Sequence, residues 1–157
     1  STSTTANGGG DQITTGSGSD IVIGGRFGDR LTAGAGDNIV IGLSSLFEPG
    51  SEKIIDSYRE TLRKIGNAIK KALPDRYIRV VGYSDTTPPP PEFKSNWMLA
   101  AARAQEVMHF LSVQCTMPES RFSFESCGDL RPIASNADDQ GRGRNRRIEI
   151  IVLPAAQ

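Results

Sequence analysis

Side chains that can bind a cation recur every nine residues at the start of this 157-residue chain. The recurring position is occupied by Asp11, Asp20, Asp29 and Asn38. Carboxylate, amide and backbone carbonyl oxygens are the ligands that hard cations take in proteins. Glycine stands two residues before this position in most repeats, and an aliphatic residue stands two residues after it in every repeat. The glycines are Gly9, Gly18 and Gly36, with Phe27 in the remaining repeat, and the aliphatic residues are Ile13, Val22, Leu31 and Val40.

This pattern resembles the RTX nonapeptide repeat, G-G-x-G-x-D-x-U-x, which winds into a calcium-binding parallel β-roll. The resemblance implies Ca²⁺ as a cofactor, bound by the glycine-rich turns and their acidic side chains. It also implies two inward rows of aliphatic side chains, Ile13 with Leu31 and Val22 with Val40. A flexible Gly/Ser-rich linker is the alternative, although linkers keep no aliphatic residue at a fixed period. The predicted metal ligands are Gly9, Asp11, Gly18, Asp20, Asp29, Gly36, Asp37 and Asn38.

Composition divides the chain in two, since 11 of its 17 glycines lie within the first 42 residues. We therefore expect a repeat segment at residues 1–43 and a second domain at residues 44–157. The 18 basic and 18 acidic residues cancel, which argues against binding to nucleic acid through overall basicity. No apolar run approaches the roughly 20 residues that a membrane helix needs. Cys115 and Cys127 have the spacing of neither a zinc site nor a disulfide framework.

The second segment carries alternating helix and strand patterns. Apolar residues recur at helical spacing through residues 53–73, and an alanine-rich helix is predicted for residues 96–113. This order predicts an α+β fold, a β-α-β-α-β sheet with its helices on one face. The other predicted elements are strands at residues 77–82, 121–126 and 146–153, a short first strand near 46–47, and a polar loop from 129 to 145.

Three stretches of this segment form a longer motif. V-V-G-Y-S-D ends a strand at Asp85, S-N-W-M-L-A-A-A-R-A opens a helix, and G-R-G-R-N-R-R-I-E-I leads into the last strand. Together they resemble the OmpA-like peptidoglycan-binding domain over about residues 44–153, and the flagellar stator (MotB-type) branch in particular. In the family's helix motif, N-x-x-L-S-x-x-R-A-x-x-V-x-x-x-L, Ala100 replaces the serine. The matching residues are Asn96, Leu99, Arg103, Ala104, Val107 and Leu111.

The resemblance implies that Asp85 and Arg103 bind the diaminopimelate residue of the peptidoglycan stem peptide. A zwitterionic amino acid needs an acid for its ammonium group and a fork of donors for its carboxylate, and arginine supplies that fork. The competing interpretation is a structural Asp85–Arg103 ion pair. Asn96 lies two helical turns before Arg103, and either orients the ligand or loop or is only a helix cap. The predicted site is completed by Ser84, Leu99 and Arg146.

Nothing in the sequence indicates catalysis. His109 is the single histidine, and neither a phosphate-binding loop nor a zinc-protease motif occurs. Four arginines between residues 142 and 147 suggest a nucleic-acid patch, but no stacking aromatics flank them. Pro88–Pro91 extend the loop before the second helix and leave open whether the loop gates the pocket.

We therefore expect a non-catalytic protein that binds peptidoglycan non-covalently in the periplasm or envelope of a Gram-negative bacterium. The calcium-binding repeats indicate a large RTX adhesin or a related envelope protein. One alternative is a flagellar stator-type domain, which fixes a motor to the wall as a homodimer. Another is an interaction module that kept the fold and lost peptidoglycan binding.

Overall fold

A computed structural model describes residues 3–5, 12–14, 19–23, 30–32 and 38–154, with side chains described from residue 39 onward. Within these residues the chain forms strands, α-helices and one short 3-10 turn. The strands are β1 (Ser3–Thr5), β2 (Gln12–Thr14), β3 (Ser19–Ile23), β4 (Arg30–Thr32), β5 (Asn38–Ser44), β6 (Ile78–Tyr83), β7 (Phe122–Gly128) and β8 (Arg147–Val152). The helices are α1 (Asp56–Ala72), α2 (Asn96–Gln114) and α3 (Asp139–Asn145).

The predicted α+β architecture is confirmed. The larger sheet has the strand order β1-β3-β5-β8-β6-β7. Its last four strands form a mixed sheet, in which β8 runs antiparallel to β5 and β6, and β6 runs parallel to β7. The parallel β6–β7 pair is joined through α2, which packs back against both strands.

The core lies between this sheet and the apolar faces of α1 and α2. Leu62, Ile65 and Ile69 are buried on α1, as their helical spacing predicts. Because strand side chains alternate between faces, every second residue of β5 and β8 enters the same core. The residues concerned are Ile39, Ile41, Leu43, Ile148, Ile150 and Val152, each at most 1% exposed.

The segment between β5 and α1 differs from the prediction. The first strand of the domain is β5 rather than residues 46–47, and α1 begins later than the apolar spacing indicated. Phe47 and Ile54 instead form an isolated antiparallel bridge. Ile55 N–H donates to the Leu46 carbonyl at 2.7 Å, so the segment closes on itself before the helix starts.

The predicted polar loop from residue 129 to 145 contains α3. Asp138 caps this helix, because its side chain accepts a hydrogen bond from Gly141 N–H at 2.6 Å. The helix is short and rich in glycine and arginine, and it lacks the apolar periodicity that predicts longer helices.

The strands before β5 pair in parallel at alternate repeats. β2 and β4 place Ile13 opposite Leu31, in the predicted register. β3 and β5 place Val22 opposite Ile41, one residue beyond the predicted partner Val40. The physical reason is that β5 also belongs to the domain sheet, where Ile41 is buried in the core and Val40 lies on the opposite face.

Most of the predicted calcium ligands lie outside the residues that the structure describes. Asp20 and Asn38 lie in β3 and β5, where only the backbone is described. Gly9, Asp11, Gly18, Asp29, Gly36 and Asp37 lie outside the described residues. The predicted domain boundary after residue 43 falls within β5.

None of the helices in the described part of the chain has the length and apolar character to cross a membrane.

Candidate functional site

All of the predicted peptidoglycan-binding residues line one cavity of about 200 Å³. The predicted residues are Ser84, Asp85, Asn96, Leu99, Arg103 and Arg146, and the remaining walls come from Pro49, Gly50, Thr87 and the prolines at 88–90.

Three elements bring these side chains together. β6 ends immediately before Ser84 and Asp85, the first turns of α2 carry Asn96, Leu99 and Arg103, and Arg146 lies between α3 and β8. The crossing of β6 and α2 is close, because a Cβ atom built on Gly82 would lie 2.0 Å from the carbonyl oxygen of Ala100. Glycine at this strand position therefore allows the helix to approach the end of β6.

Asp85 is the buried acid of the cavity, with 4% of its surface exposed. One carboxylate oxygen accepts a hydrogen bond from Thr87 N–H at 2.8 Å, and the other accepts one from Arg146 Nη1 at 2.5 Å. The ion pair of Asp85 is thus made with Arg146. Each carboxylate oxygen can accept a further hydrogen bond, so the group can still receive a ligand ammonium.

Arg103 is equally buried, at 4% exposure. Its Nε donates to the Ser51 carbonyl at 2.8 Å, and its Nη2 lies 3.4 Å from the Glu48 carbonyl. The guanidinium carbon lies 5.1 Å from the centre of the Phe47 ring. These contacts fix the plane of the guanidinium and leave its Nη1 without a hydrogen bond to the described residues.

Burial, together with the nearby charge of Arg146, lowers the pKa of Arg103 to about 10. Asp85 and Glu52 act in the opposite direction and only partly offset the burial. A carboxylate placed against this guanidinium would therefore neutralise a charge that the protein itself leaves undercompensated.

Asn96 organises the loop after β6, and Ser95 is the helix cap. The Ser95 hydroxyl accepts a hydrogen bond from Met98 N–H at 3.2 Å. The Asn96 amide group donates to the carbonyls of Asp85 at 3.2 Å and Thr87 at 2.9 Å. The sequence left Asn96 either as a residue that orients the ligand or loop or as a helix cap. These hydrogen bonds favour orientation of the loop.

Ser84 and Leu99 form the floor of the cavity, and both are about 5% exposed. Ser84 N–H donates to the Gly128 carbonyl at 2.8 Å, which ties the end of β6 to the end of β7. The Ser84 hydroxyl is buried and has no hydrogen-bond partner among the described residues.

The sequence did not predict the wall contributed by the segment between β5 and α1. Phe47 and the carbonyls of Glu48 and Ser51 contact Arg103, while Pro49 and Gly50 line the cavity. A backbone carbonyl carries no sequence signature. The Pro49–Gly50 pair before a helical pattern was the available signal for a turn here.

Asn145 was also missed, although it stands in the N-R-R stretch of the motif. It is fully buried, and its amide oxygen accepts hydrogen bonds from Ile133 N–H at 2.8 Å and Ala134 N–H at 2.9 Å. Its amide nitrogen donates to the Ala134 carbonyl at 2.8 Å and to the Asn136 side chain at 2.9 Å. This residue holds the loop before α3 against the helix end from which Arg146 emerges.

The proline loop and the segment after β5 face each other across the cavity mouth. Gly50 has a φ of +68°, and a Cβ atom built on it would lie 3.4 Å from Pro90. Trp97 packs against Gly128 at the end of β7, since a Cβ atom on Gly128 would lie 3.1 Å from the indole ring.

The predicted arginine cluster is divided by the fold. Arg147 is 8% exposed and stacks on the Tyr83 ring at 3.6 Å, while its Nε donates to Glu149 at 3.2 Å. Burial and the hydrogen bond to Glu149 raise the pKa of Tyr83, which keeps its hydroxyl a donor. Arg142 donates to the Asn136 carbonyl at 2.9 Å. The side chains of Arg147 and Arg142 therefore make contacts within the fold.

Curated relatives match a little under two thirds of the chain. Motility protein B of Bacillus subtilis is 35% identical over 107 residues, which is 63% of this chain and 41% of that protein. Peptidoglycan-binding protein ArfA of Mycobacterium tuberculosis is 34% identical over 99 residues, which is 63% of this chain and 29% of that protein. The chain thus spans less than half the length of the curated relatives it matches.

Solved structures of related domains are also similar to this chain. The periplasmic domain of Helicobacter pylori MotB superposes with a TM-score of 0.69 at 35% identity, covering 74% of this chain and 76% of that one. The cell wall anchor of the T6SS from Pseudomonas aeruginosa superposes with a TM-score of 0.67 at 36% identity, covering 73% and 80%. The OmpA family model matches residues 46–146, and the chain belongs to the OmpA family.

Proposed function

We propose that this chain binds peptidoglycan non-covalently, through the diaminopimelate residue of the stem peptide. The observation that carries the proposal is the meeting of a buried acid and two arginines in one cavity. Asp85 would receive the ammonium group of the ligand, and the guanidinium groups of Arg103 and Arg146 would receive its carboxylate. The cavity thus presents an acid and two guanidinium groups, which complement the two charges of a zwitterionic ligand.

The ion pair between Asp85 and Arg146 would have to open when the ligand binds. Arg146 has a side chain that is 43% exposed, whereas the Asp85 side chain is 5% exposed. The exposed partner is the one that can turn toward a ligand carboxylate while the ammonium group takes its place on Asp85. Arg103 is held by backbone carbonyls and stays in place.

Two relatives support this chemistry by what their names state. ArfA is named a peptidoglycan-binding protein, and the Pseudomonas aeruginosa structure is described as a cell wall anchor. We accordingly propose a location in the bacterial envelope, and the similarity to the periplasmic domain of Helicobacter pylori MotB supports the further proposal of a Gram-negative periplasm. Its role there is non-catalytic attachment to the wall.

Co-sedimentation with purified diaminopimelate-type sacculi tests the proposal. The wild type should pellet, and Arg103→Ala should lose roughly thirtyfold or more in affinity, because one partner of a buried charge contact is removed. Arg63→Ala is the matched control, since it removes the same charge from the surface of α1, where Arg63 pairs with Glu60. Asp85→Asn, which preserves side-chain shape, should also weaken binding.

Retention of the wild type in the supernatant would contradict the proposal. That result would favour an interaction module that kept the fold and lost peptidoglycan binding. Circular dichroism of each variant separates loss of binding from loss of folding.

A second candidate is a stator-type domain, favoured by the similarity to MotB. It shares the pocket chemistry and differs in requiring a homodimer that bears force. Sedimentation equilibrium distinguishes the two candidates, because a stator-type domain should dimerise and a simple wall-binding module should remain monomeric.

We further propose that the N-terminal repeats bind Ca²⁺ and that the parent protein is a large RTX adhesin or a related envelope protein. The nine-residue period and the parallel pairing of alternate strands support this part of the proposal. Ca²⁺ would be coordinated by carboxylate and carbonyl oxygens in the turns between those strands.

A further inference from the structure

A cavity of about 240 Å³ lies on the face of the domain sheet that points away from the helices. β5 and β8 turn every second residue toward the core, so the opposite face carries Val40, Gly42, Arg147 and Glu149. These residues line the cavity together with Ile133 and Arg144, and we call it the outer cavity. It has no lining residue in common with the candidate peptidoglycan cavity described above.

Arg147 brings a buried donor with an unmet hydrogen bond to the wall of the outer cavity. Its side chain is 7% exposed, its Nε donates to Glu149 at 3.2 Å, and its Nη2 donates to the Arg131 carbonyl at 3.1 Å. Its Nη1 is buried and has no hydrogen-bond partner among the described residues. A buried donor without an acceptor is costly, and most such groups in native proteins are satisfied. An oxygen atom of a ligand would supply the missing acceptor.

The charges that line the outer cavity favour an anion. Both oxygens of Glu149 are occupied, one by Arg147 and the other by the Tyr83 hydroxyl, which donates to it at 2.8 Å. The charges of Glu149 and Arg147 therefore balance each other. Arg144 is exposed in the last turn of α3 and forms no ion pair within the part of the chain that the structure describes. The cavity thus has one positive charge in excess, which attracts a single anionic group.

The remaining walls of the outer cavity are apolar. Ile133 is 51% exposed, and its backbone is held in place because its N–H donates to the buried Asn145 amide at 2.8 Å. Gly42 leaves open space above β5, since a Cβ atom built on it meets nothing within 4 Å among the described residues. Val40 continues this surface along the strand. Such a surface favours an apolar group over water.

We propose that the outer cavity binds the carboxylate of a small acid with a branched apolar body. The carboxylate would lie between Arg144 and Nη1 of Arg147, and the apolar body would lie against Val40, Gly42 and Ile133. The volume is below the roughly 300–1,000 Å³ of pockets for drug-sized ligands, so it suits one small molecule or one residue of a peptide. The same chemistry has two sources, a free carboxylic acid and the C-terminal residue of a peptide.

Titration of the wild type followed by two-dimensional NMR tests the site, because it reports where each probe binds. The probes are isovalerate and acetyl-glycyl-valine, which carry a free carboxylate, and the carboxamide of each, which does not. Both acids should shift the backbone signals of Gly42 and Glu149, and the carboxamides should bind at least roughly tenfold more weakly, because they lose the charged hydrogen bonds. If only one acid shifts these signals, the site stands and that acid identifies the source.

Two variants test the walls separately, with the Glu149 signal as the readout for both. Arg144→Gln should weaken binding of the acids by roughly threefold to fivefold, because an exposed ion pair contributes modestly. Gly42→Leu should abolish binding, because the new side chain would occupy the open space above β5. Arg63→Gln is the matched control, since Arg63 lies on α1 and does not line the cavity. Circular dichroism shows whether each variant folds as the wild type does.

The site is overturned if neither acid shifts the signals of Gly42 and Glu149, or if the shifts occur only at Leu99 and Arg103 in the candidate peptidoglycan cavity. Equal binding of the acids and the carboxamides would overturn it as well, since the arginines would then have no part in recognition. Unchanged affinity in both Arg144→Gln and Gly42→Leu would have the same meaning. The proposed function stands or falls separately, because the two cavities have separate walls.

Discussion

Asn145 shows how one buried amide determines the position of a binding residue. Its side chain makes four hydrogen bonds to the loop at residues 133–136, and it is fully buried. The next residue, Arg146, reaches Asp85 across the cavity. Loss of the amide would leave the backbone N–H groups of Ile133 and Ala134 without this acceptor and would open a gap where the fully buried side chain lies.

We predict that Asn145→Ala lowers the free energy of unfolding by about 3 kcal/mol, because the backbone N–H groups of Ile133 and Ala134 lose their acceptor. Urea denaturation measures the change. Asn67→Ala, at an exposed position on α1, is the matched control and should be neutral. A loss below about 0.5 kcal/mol for the Asn145 variant would show that the loop is held by other contacts.

At the scale of elements, the crossing of β6 and α2 places the acid and the arginine opposite each other. Gly82 lies under Ala100 at this crossing, and Ala100 is fully buried. Ala100 stands where the helix motif has serine. A packing role at a close helix–strand contact accounts for a small residue there and leaves the cavity residues unaffected.

Gly82→Ala should destabilise the protein by about 3 kcal/mol, because the added methyl group would meet the backbone of α2. Peptidoglycan binding should fall as well, since α2 carries Asn96 and Arg103. Gly42→Ala provides a strand-glycine control, because a Cβ atom there meets nothing within 4 Å among the described residues. The expectation fails if both substitutions have the same effect on urea denaturation and sedimentation.

At the scale of the whole molecule, β5 joins the repeat strands to the OmpA-family domain. It pairs in parallel with β3 on one side and antiparallel with β8 on the other. Among the residues whose side chains are described, the domain core includes β5, and α1 also contacts β4. We predict a separation in stability between the two segments, in which only the repeat strands depend on Ca²⁺.

Hydrogen exchange in Ca²⁺ and in chelator tests that separation. Amides of β1–β4 should be protected only in Ca²⁺, because ions bound by the folded turns favour folding. Amides of β6 and β8 should be equally protected in both conditions. Asp29→Ala should weaken the calcium effect, and Asp75→Ala, in the domain, should not. Equal protection of β1–β4 in both conditions would contradict the calcium proposal.

Local sequence patterns were sufficient to predict most of the secondary structure of the domain. Helical spacing of apolar residues and strand alternation predicted α1, α2 and the strands β6, β7 and β8, because burial on one face imposes a period on the sequence. The resemblance to the OmpA-like domain, carried by the strand-end, helix and N-R-R motifs, also identified six of the residues that line the candidate peptidoglycan cavity.

Tertiary packing decided the rest. Whether Asp85 pairs with Arg103 or with Arg146 depended on where α3 and its buried Asn145 bring the chain. The backbone carbonyls that orient Arg103 belong to a segment about fifty residues earlier, and carbonyls are common to every residue. The face on which Val40 lies was set by β8, because a strand shared by two partners takes the register that buries its larger apolar set.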